Sequence, residues 1–198
     1  NNQVDKKYIA FLPGSRENEI KQLFVYYELA YKILLKYQTT RFHIFIPTLP
    51  HLEKLINKKT SHWKIKTIVI TDQIKIEDYF REVYASVTCS GTASLEMAKR
   101  MIPQLVIYKF NFLTTIIAKY FVKIKYGNLI NIFANRMIIP ELTNFNLTKK
   151  KFTNEFELLI NNEKRNHEQL FQIQDHIKYF ENNQSPYDLC VNRIMELI

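Results

Sequence analysis

Short apolar runs alternate along this chain with stretches in which apolar residues recur at helical spacing. Tyr8-Ile9-Ala10-Phe11-Leu12 is the first run and predicts a strand. From Glu17 to Tyr37, residues Ile20, Leu23, Phe24, Tyr27, Ala30 and Leu34 share one face, which predicts a long helix with Ser15 as its N-cap. The alternation then repeats. Phe42 to Ile46 predicts a strand stopped by Pro47, and His51 to Lys59 a short helix. Ile65 to Ile70 predicts a strand that turns at Thr71-Asp72, and Ile76 to Val83 a helix. Tyr84 to Cys89 reads as a buried strand. Leu95, Met97 and Ala98 resume an apolar pattern after a turn of small residues, Pro103 ends it, and Leu105 to Tyr108 is the next strand. Five strands separated by helices describe an α/β fold: a Rossmann-like, doubly wound, mainly parallel sheet.

Beyond Tyr108 the pattern is helical. Phe112, Leu113, Ile116, Ile117, Tyr120, Phe121 and Ile124 follow helical spacing, interrupted by Lys119 and Lys123, with Lys109 and Lys125 alongside. Such a stripe reads as core with lysines reaching to solvent, or as a basic amphipathic helix on an anionic membrane. Turns are expected from Tyr126 to Asn131 and at Pro140-Glu141-Leu142. Lys149-Lys150-Lys151 would oppose the dipole in a helix's first turn, which places it in the loop before a helix. Phe152 to Phe180 and Ser185 to Ile198 read as helical, the second opened by Ser185-Pro186. The organisation expected is a linker over 1–7, a Rossmann-like domain over 8–150, and C-terminal helices over 151–198 packed on it.

Composition narrows the partners. A chain of 198 residues that is 46% hydrophobic can bury a full core. Its net charge of +9 admits an acidic partner: nucleic acid, an anionic membrane or a phosphorylated ligand. No basic-aromatic motif accompanies the charge, which argues against nucleic acid. Cys89 and Cys190 are too few and too far apart for a disulfide framework, which fits a reducing compartment. No apolar run reaches transmembrane length without a charge. His43, His51 and His62 lack metal-ligand spacing and no Asp-x-Asp pair is present, so no metal and no other cofactor is expected. The start at Asn1-Asn2-Gln3 lacks a Met, and the chain is expected to begin partway through a longer protein.

Candidate chemistry lies in the turns. Ser90-Gly91-Thr92-Ala93 follows a strand and opens a helix, where small side chains let an anion approach unpaired backbone N–H groups. Glu96 is about one turn further on, where a carboxylate could accept hydrogen bonds from a ribose diol. A capped helix with a solvated Glu96 satisfies the same residues. Pro13-Gly14-Ser15-Arg16 is a second turn of this kind, and Arg16 at a helix entrance opposes the dipole unless an anion sits between them. Gly14, Gly91 and Gly127, all the glycines of the chain, each fall in a suspected ligand turn. Two strand-to-helix turns side by side could hold a diphosphate from two directions.

Leu12-Pro13-Gly14-Ser15-Arg16, Ser90-Gly91-Thr92-Ala93-x-Leu95-Glu96, the Pro103…Tyr108-Lys109 strand, Asn128-Leu129-Ile130 and Pro140-Glu141-Leu142 occur in the order found in lipid-A-disaccharide synthases. Over nearly its whole length the chain resembles the C-terminal, nucleotide-sugar-binding half of those two-domain GT-B glycosyltransferases. The resemblance implies transfer of diacylglucosamine from UDP to an acylated glucosamine phosphate, with inversion and without a metal. It implies that Arg16 contacts the diphosphate and that Gly14, Ser15, Ser90, Gly91, Thr92 and Ala93 cradle it. Glu96 would hold the ribose, and Asn128 would bind near the leaving group or donor sugar. The implied setting is the cytoplasmic, anionic face of a Gram-negative inner membrane, with a separate N-terminal acceptor half that carries the general base; a homodimer is compatible. A nucleotide-binding fragment without turnover, or another UDP-sugar GT-B enzyme, fits the same motifs. The chain departs from the family at Arg100-Met101-Ile102, where a smaller, commonly glycine-containing turn is usual. It also departs at Gly127 and at Thr143-Asn144.

Overall fold

The computed structural model describes residues 7–37, 42–89, 91–109, 125–144 and 146–180. Six strands form one parallel sheet: β1 (Tyr8–Leu12), β2 (His43–Pro47), β3 (Thr67–Ile70), β4 (Val83–Cys89), β5 (Gln104–Ile107) and β6 (Glu141–Leu142). Their spatial order is β3-β2-β1-β4-β5-β6, so the chain runs outward from β1 to one edge and then returns to build the other half beside it. That reversal makes the carboxyl ends of β1 and β4 the place where a doubly wound sheet leaves a crevice.

Alternation within the strands assigns the two faces. Ile9 and Phe11 of β1, Ile44 and Ile46 of β2, and Ala85 and Val87 of β4 enter one core. Helices α1 (Glu17–Lys36) and α2 (Glu53–Thr60) cover that face through Leu23, Phe24, Tyr27 and Ile56. So does α6 (Lys149–Asn161), through Phe152 and Phe156. Tyr8, Ala10 and Leu12 point the other way, under α3 (Gln73–Arg81) and α4 (Thr92–Lys99). Val106 continues that face toward α5 (Leu129–Ala134) and α7 (Glu163–Ile177). With both faces covered, β1 is buried at every position, as parallel strands usually are. Phe11 is fully buried against Tyr27, Trp63 and Phe156, and Phe→Ala at such a site costs about 3–5 kcal/mol.

Several expectations are corrected. The segment 129–134 is helical rather than part of a turn, because Asn128 caps it and Ile130 and Asn131 are buried. Glu141–Leu142 is a sixth strand, not a turn, paired with Val106 and Ile107. Lys149-Lys150-Lys151 lies in the first turn of α6, not in the loop before it. Thr148 caps that turn by accepting from the Lys151 N–H at 3.2 Å, and Phe152 anchors it in the core. A side-chain cap is worth about 1 kcal/mol and exposed lysines oppose the dipole by less than that each. α3 starts at Gln73 rather than Ile76, since Asp72 accepts from Ile74 N and Lys75 N, and Val83 belongs to β4. The N-cap of α1 is Arg16, not Ser15. The stripe Phe112 to Ile124 with Lys119 and Lys123, the helix from Ser185, and Cys190 lie outside the described residues.

Candidate functional site

A cleft of about 470 Å³ opens at the carboxyl ends of β2, β1 and β4. Pro47, Thr48 and Leu49 line it from β2, Leu12, Gly14, Ser15, Arg16 and Glu19 from β1 and α1, and Cys89, Gly91, Thr92, Ala93 and Glu96 from β4 and α4. Gln73, Ile76 and Phe80 of α3 close one wall. Of the residues picked out in the sequence, Gly14, Ser15, Arg16, Gly91, Thr92, Ala93 and Glu96 come together here. Ser90 lies outside the described residues.

The two glycine turns are shaped by backbone need. Gly14 has φ +103° and Gly91 φ +115°, conformations that side chains resist. At Gly14 a Cβ would also stand 2.9 Å from both Cys89 Sγ and Glu19 Oε2. At Gly91 it would meet nothing within 4 Å among the described residues, so the conformation alone calls for glycine there. Just before Gly14, the buried Tyr27 hydroxyl donates to the Leu12 carbonyl at 3.0 Å and pins the end of β1.

Helix caps distinguish these two turns from four of the other helix starts. α3, α5, α6 and α7 each begin with a side-chain cap, from Asp72, Asn128, Thr148 and Asn162. α1 and α4 begin with none: their N-caps are Arg16, whose side chain makes no cap bond, and Gly91. α2 also begins without a side-chain cap, but it continues directly from a 3-10 turn over Pro50–Leu52. α1 and α4 start at the cleft, where among the described residues their first-turn N–H groups lack the side-chain partner that α3, α5, α6 and α7 have. Thr48 adds to this polarity. Its hydroxyl is buried at the cleft wall and has no hydrogen-bond partner among the described residues.

Charges are arranged around the same opening. Arg16 is largely exposed and pairs with Glu19 at 2.7 Å, so the dipole mismatch seen in the sequence is partly answered within the protein. Glu96 is exposed and accepts from Arg100. Burial, and to a lesser extent Glu19, pushes the Cys89 thiol up to about 11, so it is neutral at physiological pH.

Asn128 stands apart from the cleft lining. It is buried, its side-chain oxygen accepts from Ile130 N and Asn131 N, and its amide donates to Ser94 Oγ on α4. Ser94 donates to Gln104 Oε1 at 2.8 Å, and Gln104 reaches Thr88 and Gln169. Glu141, also buried, accepts from Gly127 N and Asn128 N. Burial, outweighing those amides, raises its carboxyl above the usual range. Gly127 is a glycine for a different reason from the other two. Its φ is not positive, but a Cβ would come within 1.6 Å of Tyr108 Oη. Sequence reasoning missed this network, along with Thr48 and Glu19. The signal available for Thr48 was its position directly after a strand on the binding edge of the sheet.

Comparison with known proteins agrees with the geometry. The family model described as lipid-A-disaccharide synthetase matches residues 2–195. A lipid-A-disaccharide synthase of Acinetobacter baylyi is 34% identical over 80% of this chain and 42% of its own length. One from Granulibacter bethesdensis is 31% identical over 79% of this chain and 39% of its own. The chain therefore spans less than half the length of these curated relatives. Among solved structures, the C-terminal domain of a glycosyl transferase group 1 family protein from Francisella tularensis superposes with a TM-score of 0.57 at 14% identity. It covers 91% of this chain and 88% of that one, which shows a shared fold.

Proposed function

Because the chain belongs to the lipid-A-disaccharide synthetase family, we propose that it is the donor-binding part of a hexosyltransferase that moves 2,3-diacylglucosamine from UDP to 2,3-diacylglucosamine 1-phosphate. The observation that supports this best is the pair of uncapped helix starts, α1 and α4, meeting at one cleft beside Arg16. Breaking the sugar–phosphate bond leaves negative charge on UDP, and preorganised amides and a cation lower the energy of that charge as it develops. Arg16 turns from Glu19 to the diphosphate; the amides of Gly91, Thr92 and Ala93, with the Ser15, Ser90 and Thr92 hydroxyls, hold its oxygens. Glu96 accepts from the ribose diol. For Asn128 the geometry supports a holding role: through Ser94 it fixes α4, and so the turn at Gly91. The sugar inverts, and the general base comes from the N-terminal acceptor half.

The donor and acceptor are lipids, so the enzyme works at an anionic membrane surface, on the cytoplasmic side. Among the described residues no helix is long and apolar enough to cross a membrane. Ile132, Phe133 and Met137 are nevertheless exposed around α5, next to Arg136, and would suit a bilayer surface. A second reading is nucleotide binding without turnover, which the same two glycine turns at the cleft support equally. Assaying disaccharide formation with and without a separately supplied N-terminal half tests the proposal. Product only with both parts is expected; binding of UDP with no product in either arm would leave the second reading standing.

A further inference from the structure

Arg100 follows α4 directly, and its guanidinium is engaged on three sides. It meets both Glu77 oxygens, at 2.7 and 2.6 Å, in a two-pronged contact across to α3. It lies 4.5 Å from the ring centre of Phe80, a residue of the cleft wall. Its Nη2 and Nε donate to Glu96 at 3.0 and 3.3 Å, and both bonds fall on the same oxygen, Oε1. A lone exposed ion pair one helical turn apart would do little. A forked Arg–carboxylate contact with a ring beneath it holds the guanidinium in one orientation.

We propose that Arg100 is a positioning residue for ribose recognition: anchored on Glu77 and Phe80, it takes one oxygen of Glu96 and leaves Oε2 set toward the cleft for the ribose 2′-hydroxyl. This inference rests on the nucleotide reading above. It adds a residue and a specificity, a preference for ribose over deoxyribose that depends on a neighbour making no contact with the ligand. Lysine cannot replace Arg100 in this role, because a point charge cannot bond Glu77 through two nitrogens and still reach Glu96 in a fixed plane. Glu77 belongs to the same device, since without it the guanidinium is free to follow Glu96 into any rotamer.

The test compares the affinities of UDP and 2′-deoxy-UDP, by calorimetry, for the wild type, Arg100→Ala, Arg100→Lys and Glu77→Gln. Melting temperatures are recorded alongside. The wild type should prefer UDP by roughly tenfold, the worth of one charge-assisted hydrogen bond. Each variant should lose most of that preference through weaker UDP binding, with 2′-deoxy-UDP bound nearly as before. A purely structural ion pair would lower both affinities together or only the melting temperature, and either result overturns the proposal. A wild type that binds neither nucleotide overturns it together with the nucleotide reading. A wild type that binds both equally overturns it together with the assignment of the ribose to Glu96. Preference retained in all three variants overturns the role of Arg100 alone.

Discussion

The Asn128 side-chain amide donates to Ser94 Oγ, joining the start of α5 to the first turn of α4 across 34 residues of sequence. Both side chains are buried; Ser94 also donates to Gln104, whereas the Asn128 amide has its acceptor in Ser94. Ser94→Ala would leave the Asn128 amide without an acceptor, and an unsatisfied buried group costs about 1–3 kcal/mol. Asn128→Ala removes the link and the cap of α5 together and should cost at least as much. Urea denaturation of both variants checks this. An Asn128→Ala protein of unchanged stability but weakened UDP binding would place Asn128 at the ligand instead.

Gly127 and Tyr108 occupy each other's space. Gly127→Ala puts a methyl against the Tyr108 hydroxyl and should destabilise the fold by about 1–3 kcal/mol, the usual penalty for overpacking. In a Tyr108→Ala background the same change should be nearly silent. Equal penalties in the two backgrounds would mean that Gly127 is needed for its backbone alone.

What was legible in the sequence follows from where the information lies. β1, β2 and β4 are apolar at nearly every position, and α1 carries a long one-sided stripe, so period and length sufficed for them. The cleft residues were legible because Gly14 and Gly91 sit where strand gives way to helix, and their positive φ is the reason glycine is there. β6 has two residues and is a strand only because Val106 and Ile107 pair with it, which no local pattern announces. α5 is six residues long and depends on its Asn128 cap. The lysines of α6 read as a loop because local electrostatics was weighed without Thr148 and Phe152. The polar chain from Glu141 through Asn128, Ser94 and Gln104 to Gln169 joins distant segments, so nothing near any one of these residues marks it as buried.

Glu141 sets a pH dependence of definite sign. Its carboxyl is raised, chiefly by burial, so the folded protein holds that proton more tightly than the unfolded chain. Where the folded state binds more protons, stability falls as pH rises. The contribution is fully present below the unfolded value of about 4.3 and is lost as pH climbs through the folded value. Glu141→Gln removes this titration. The stability of the wild type relative to Glu141→Gln should therefore decline across that window and then level off; a rise in the same window would contradict the direction.

Glu77 runs the opposite way. Hydrogen bonding to Arg100 holds its carboxyl below the usual range, so its contribution is present above the unfolded value and is lost as pH falls through the folded one. Preference for UDP over 2′-deoxy-UDP should weaken on acidification in that lower range, since protonated Glu77 releases Arg100. Constant preference down to the onset of acid unfolding would contradict it.

Cys89 lines the cleft with a thiol pushed up to about 11. At pH 8 its thiolate fraction should be roughly a hundredfold below that of an ordinary cysteine, and alkylation by iodoacetamide correspondingly slow. Bound UDP should slow it further by covering the sulfur. Mass spectrometry of the Cys89 peptide over time measures both effects; labelling as fast as a free thiol, unaffected by UDP, would contradict both.

The account stands on a nucleoside diphosphate seated between Gly14-Ser15-Arg16 and Gly91-Thr92-Ala93. Calorimetric titration of the chain with UDP and UMP, without added metal ion, compares the wild type with Arg16→Ala. UDP should bind the wild type more tightly than UMP does. Arg16→Ala should weaken UDP by about tenfold, the loss of one charge-assisted hydrogen bond, and leave UMP nearly unchanged. Equal UDP affinity in wild type and Arg16→Ala, or UMP binding as tight as UDP, would contradict the placement of the diphosphate.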